Sequence, residues 1–172
     1  MSIQLRHETP DDVAAIEAVT VAAFADAPHA SHIEQCIVRA LRAANELTLS
    51  IVAEKHGQVV GHVALSAVTI TDEHGQKAAG WYGLGPISVL PQMQGQGIGS
   101  RLMEQALSEL RAMRAEGCVL LGDPAYYARF GFQAHTGLQL PGVPPGYFLA
   151  LALHRAVPEG IAQFSDAFNA AA

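Results

Sequence analysis

Cysteine, charge and long apolar runs are all scarce in this 172-residue chain. The two cysteines, Cys36 and Cys118, stand in separate apolar patterns with no partner at metal-ligand spacing, so both are expected to be small buried hydrophobes and not metal ligands. The longest apolar stretches, such as Phe148 to Leu153, fall far below the ~20 residues that cross a bilayer. Arg6, His7, Glu8, Asp11 and Asp12 leave no space for the apolar segment of a signal peptide, which predicts a cytoplasmic protein. Basic residues are few as well: 10 Lys and Arg against 16 Asp and Glu give a net charge of -6, which argues against nucleic acid and anionic membranes as partners. The eight histidines are scattered without a ligand motif, so no metal is expected. Half of the residues are apolar and 15% are charged, the composition of a folded domain. The length fits one domain over 1–172, with about 155–172 as a C-terminal extension.

Hydrophobic periodicity orders the chain. A strand over Ile3 to Glu8 is followed by Thr9, Pro10 and Asp12, a helix-start pattern, and by a helix to about Ala25. Ser31 with Glu34 reads as a capping box for a second helix ending near Asn45. Leu47 to Lys55 and Val59 to Thr71 are β-branched segments around His56, Gly57 and Gln58, the pattern of an antiparallel hairpin. A further strand lies within Trp81 to Val89, where Gly83, Gly85 and Pro86 mark a bulge or a close backbone approach. Ile98, Leu102, Ala106, Leu110 and Met113 define the strongest helix, from Gly97 to about Ala115, with Gly117 as its stop. Cys118 to Leu121 suits a strand buried on both faces and parallel to the preceding one. Pro124 to Phe130 fits one or two helical turns, and Phe132 to Ala134 and Tyr147 to Leu153 fit short strands. Phe168 to Ala172 is expected to fray.

The sharpest local signal is the glycine-rich turn from strand to helix, Val89 to Ser100. Such a turn presents successive backbone N–H groups at the positive end of a helix dipole, an arrangement that binds phosphate oxygens; alternatively, the glycines only turn the chain. Gly99-Ser100-Arg101 lacks the lysine of a P-loop. A dinucleotide site of an oxidoreductase fits less well, because Ser100 occupies the place of its third small residue and the unit starts halfway along the chain.

Gln94-x-x-Gly97-x-Gly99 resembles the acetyl-CoA pyrophosphate loop of the GNAT superfamily of N-acetyltransferases, and the string Gly122 to Phe132 is similar to its YhbS-like branch. The order of elements and the Tyr127-x-x-x-Gly131-Phe132 ending carry the same resemblance. It implies an α/β fold with a mixed, largely antiparallel sheet, a splayed parallel strand pair and flanking helices. It further implies acetyl-CoA as cosubstrate and a small-molecule or peptide amine as acceptor. In that reading Ile87, Ser88 and Val89 pair with the pantetheine arm, and Gln94, Gly95, Gln96, Gly97, Ile98, Gly99 and Ser100 hold the pyrophosphate. A binding module that senses CoA without turnover is the alternative from a different class. The oligomeric state stays open, a homodimer among the options.

Acyl transfer to an amine needs a base, an oxyanion donor and a proton for the departing thiolate. The resemblance assigns the last role to Tyr127, with Tyr126 as its neighbour and competitor; packing beneath Phe130 and Phe132 is the alternative for both. A backbone N–H within Ile87 to Val89 would face the oxyanion. Relatives often carry a glutamate on the bulged strand, and Leu84 to Ser88 contain no carboxylate. Asp123 is then the candidate base, with a helix cap beside Pro124 as its other reading. His62 is a weaker candidate for a base or water relay, and His29 and His32 lie where acceptors are contacted in that family.

Overall fold

A computed structural model of the chain describes residues 2–28 and 30–170, so His29 lies outside the described residues. These residues pack into two compact units: 2–28, 30–65, 86–106 and 166–170 in the first, 66–85 and 107–165 in the second.

In the first unit, β1 (Gln4–His7) pairs antiparallel with β2 (Leu49–Lys55). β2 in turn pairs with the start of β3 (Gln58–Thr71), from Lys55↔Gln58 to Leu49↔Leu65. Their turn is two residues, His56 (φ 52°) and Gly57 (φ 76°), both left-handed as the twist of a tight hairpin requires. Helices α1 (Val13–Phe24) and α2 (Glu34–Ala43) bring Ile16, Val19 and Val38 against Val52 and Ala64 on one face of the strands. The opposite face meets the start of α3 (Ile98–Ala112): a Cβ on Gly61 would stand 3.1 Å from Leu102 and 3.2 Å from Ile98. Glycine is what permits that approach.

The second unit holds the rest of the sheet. β4 (Lys77–Val89) runs parallel to β5 (Gly117–Leu121) over Trp81↔Gly117, Tyr82↔Cys118 and Gly83↔Val119, and the pairing ends there. β5 pairs antiparallel with β7 (Phe148–Ala152), and β8 (Gly160–Gln163) pairs antiparallel with the end of β3 and parallel with β6 (Leu138–Gln139). Trp81, Val68, Ile70, Val119, Phe148 and Ala162 form its core. The sheet is therefore mixed, with antiparallel strands, a parallel β4–β5 pair and flanking helices, as the resemblance implies.

The elements depart from expectation in several places. Helix α1 is preceded by a 3-10 turn at Pro10–Asp12, where the Asp12 carboxylate accepts from Thr9 N–H and pairs with Arg6 at 2.7 Å. Helix α2 starts at Glu34, whose carboxylate accepts from Ser31 N–H at 2.8 Å, half of the expected capping box, and from the Ser31 hydroxyl at 2.8 Å, while Ser31 Oγ accepts from Ile33 N–H at 3.5 Å. Helix α3 ends through Arg114 (φ 62°), with Ala115 N–H returning to Leu110 O at 2.9 Å, and Gly117 already belongs to β5. Phe132 to Ala134 forms no strand, only a bridge from Gln133 to Ala150. At the C-terminus a 3-10 turn at Asp166–Asn169 packs Ala167 and Phe168 against Ile37 and Leu41 of α2, while Ala171 and Ala172 lie outside the described residues.

Candidate functional site

In the first unit, β4 runs into a 3-10 turn (Pro91–Met93) and then the glycine turn that opens α3. Gly95 and Gly97 have φ of 77° and 84°, and a Cβ on either would point into open space. The glycines are thus required by the backbone conformation, and they leave the N-terminal end of a 15-residue helix bare. Gln94, Gly95, Gln96 and Gly97 are exposed, and Gly99 and Ser100 half-buried. Ile98 is different: its side chain is buried in the core, which leaves only its backbone N–H to offer a ligand. Gln94 Nε2 donates to Val89 O at 3.0 Å and ties the turn back to the end of β4.

The irregularity forecast on β4 shows in the backbone. Gly85 has φ 144°, a conformation L side chains rarely adopt, and pairing with β5 stops two residues before it, after Gly83. Ile87 and Val89 are half-buried, whereas Ser88 is 3% exposed with its Oγ 3.4 Å from Thr20 Oγ1. A ligand would therefore meet Ser88 through its main chain.

In the second unit, Asp123 and Tyr127 share the single turn α4 (Pro124–Tyr127) after β5. Asp123 Oδ1 accepts from Ala125 N–H at 2.9 Å, the N-cap reading, and Asp123 O accepts from Tyr126 and Tyr127 N–H, each at 3.1 Å. The second Asp123 oxygen leaves room for another partner. Tyr127 stacks edge-on to Tyr126 and Phe132, with centroids 4.9 and 6.3 Å away, and burial, then the Tyr126 charge, pushes its phenol pKa up. Such a phenol stays protonated at neutral pH and acts as a donor. Tyr126 is engaged otherwise, with the Arg129 guanidinium 4.4 Å above its ring.

One feature escaped the sequence reading. A Cβ on Gly122 would stand 2.2 Å from Tyr127 Cε2, so this glycine is the seat of the tyrosine ring. His62, the weaker candidate for a base or water relay, is wholly buried, with Nε2 2.8 Å from Ser50 Oγ. Among the described residues no group of His, Cys, Asp and Glu is arranged to hold a metal ion, and no helix is long and apolar enough to cross a membrane. A concavity of about 650 Å³ bounded by Asp72, Lys77, Gln139 and Glu159 contains none of the predicted site residues.

A glycine turn that opens α3 and a parallel β4–β5 pair that parts early are both features that the resemblance implies. The acetyltransferase (GNAT) domain family matches residues 46–134, and the chain belongs to that family. It is 33% identical to the uncharacterized N-acetyltransferase YhbS of Escherichia coli K12, over 96% of this chain and 98% of the relative. Among solved structures, a GNAT family acetyltransferase from Brucella melitensis in complex with acetyl-CoA is 47% identical, with a TM-score of 0.85 over 97% of this chain and 98% of that one. Escherichia coli YhbS in complex with CoA also superposes with a TM-score of 0.85, at 32% identity, over 97% of this chain and 92% of that one.

Proposed function

We propose that the protein is an acetyl-CoA-dependent N-acetyltransferase, one domain over 1–172, that moves the acetyl group to a primary amine within a ternary complex. The observation that carries this reading is the pair of left-handed glycines, Gly95 and Gly97, opening onto free space at the start of α3. Similarity to the Brucella protein, whose structure holds acetyl-CoA, supports the choice of acyl donor. The pyrophosphate lies against the main chain of Gln94 to Ser100, where the N–H groups and helix dipole offset its charge. The pantetheine arm pairs with Ile87 to Val89 as an added strand.

The amine nitrogen then attacks the thioester carbonyl carbon. A C–N bond forms, the oxyanion is met by a main-chain N–H of β4, and the C–S bond breaks as the intermediate collapses. Tyr127 gives its phenolic proton to the departing thiolate, and Asp123, directly or through a water, takes the proton lost by the amine. The two unpaired, buried cysteines agree with a reducing compartment, the cytoplasm. The test is a panel of small and peptide amines incubated with acetyl-CoA. Acetylated product found by mass, with an equal amount of free CoA, supports transfer; binding of acetyl-CoA with no product from any amine supports the sensor alternative.

A further inference from the structure

The first unit contains a polar chain that none of these roles uses. Arg42 holds Glu8 at two points, Nε to Oε2 at 3.0 Å and Nη2 to Oε1 at 2.8 Å. The Ser50 hydroxyl donates to Glu8 Oε1, and Ser50 Oγ lies 2.8 Å from His62 Nε2. Burial raises the Glu8 carboxyl pKa, but Arg42 and Ser50 outweigh it and the net shift is downward, so Glu8 is a carboxylate at neutral pH. A carboxylate only accepts. The single Ser50 proton is therefore spent on Glu8, and the Ser50–His62 bond requires Nε2–H as its donor. Burial also keeps the imidazole neutral, and the lone pair is left on Nδ1, which is buried without a hydrogen-bond partner among the described residues.

A donor for that lone pair stands on the neighbouring strand. Leu90 N–H donates to Val60 O at 2.9 Å. Counting two residues back along β4 and two forward along the antiparallel β3 brings Ser88 level with His62. The Ser88 proton is poorly used: Thr20 donates its own proton to Ile16 O at 2.7 Å, so it can only accept from Ser88, across 3.4 Å.

We infer that His62 is a positioning residue for the acyl donor: when acetyl-CoA pairs with β4, the Ser88 hydroxyl turns from Thr20 to His62 Nδ1 and fixes the segment Ile87 to Val89. Glu8 and Ser50 set the tautomer that makes Nδ1 the acceptor. This inference rests on the proposed reading that β4 receives acetyl-CoA.

The test combines nitrogen-15 NMR of His62 in the wild-type protein with acetyl-CoA binding by three variants. The ring is expected as the Nε2–H tautomer, and its Nδ1 resonance is expected to move on saturation with acetyl-CoA toward that of a hydrogen-bonded acceptor. His62→Gln restores a donor near Nε2 and none of the acceptor at Nδ1, while His62→Asn restores an oxygen near Nδ1. Binding should weaken roughly 3- to 10-fold in His62→Gln, as for one lost hydrogen bond, and far less in His62→Asn. Ser88→Ala should weaken it by a similar factor, with nothing added in the double variant with His62→Gln. An Nδ1–H tautomer, an unmoved Nδ1 resonance, or an asparagine variant worse than the glutamine variant overturns the inference while leaving the proposed function intact. A wild-type protein that does not bind acetyl-CoA overturns both.

Discussion

The Tyr127 ring packs on Gly122, so closely that a Cβ on Gly122 would be 2.2 Å from Cε2 and 2.7 Å from Cδ2. The phenol is held by the absence of a side chain one residue before Asp123. Gly122→Ala must push the ring aside, at a cost of about 1–3 kcal/mol for overpacking. Turnover should fall at least tenfold while acetyl-CoA affinity stays near wild type. Unchanged turnover in steady-state kinetics would mean that ring position is immaterial.

Tyr127→Phe keeps the ring and removes only the proton. Turnover should drop by roughly 10²-fold with little change in acetyl-CoA binding, the pattern of a lost general acid. Tyr126→Phe should do much less, since the contacts of Tyr126 run through its ring face and its main-chain carbonyl, to Arg129. Equal losses in the two variants would remove the reason for preferring Tyr127.

Asp123 caps α4 through Oδ1. Asparagine preserves that cap and cannot take a proton. Asp123→Asn should leave the melting temperature unchanged and lower turnover strongly near neutral pH. The loss should shrink at high pH, where the amine deprotonates by itself. Rate profiles of the two proteins that run parallel at all pH values would assign Asp123 to the cap alone.

Stability should depend on His62. Its pKa is about 4 in the folded protein, chiefly from burial, against ~6.5 in an unfolded chain. Between those values the unfolded state binds more protons. The stabilisation is fully present above about pH 6.5 and is lost as pH falls toward 4, by on the order of 3 kcal/mol. Glu8 and Asp12, held below the usual carboxylate range by Arg42 and Arg6, add losses in the same direction at lower pH. In denaturant titrations across this range, His62→Gln should flatten the fall. Parallel wild-type and variant curves would show that His62 is not the titrating group.

Much of the frame is legible wherever the signal is local. Ile98, Leu102, Ala106 and Leu110 repeat every fourth residue, and all four are buried on one face of α3. His56-Gly57 turns the hairpin as its residue types suggest. Features set by distant partners are not legible. The two-residue strand β6 exists because Leu138 and Gln139 meet Gly160 and Ile161, and no local pattern marks it. Helix α3 ends at Ala112, short of the expected Ala115, and Arg114 beyond it takes a left-handed conformation that glycine usually supplies. At the site, the glycine turn announced itself by spacing, whereas Glu8, Ser50 and His62 are dispersed along the chain and are joined only by folding.

The most direct test of the central claim is calorimetry of acetyl-CoA and NAD on the wild-type protein and on Gly97→Glu. Residue 97 sits at φ 84° with open space where its side chain would begin, so a glutamate there strains the turn and sets a like charge in the phosphate position. The account predicts that the wild type binds acetyl-CoA and not NAD, and that the variant, folded by circular dichroism, binds neither. Equal acetyl-CoA affinity in the folded variant, or none in the wild type, would contradict it.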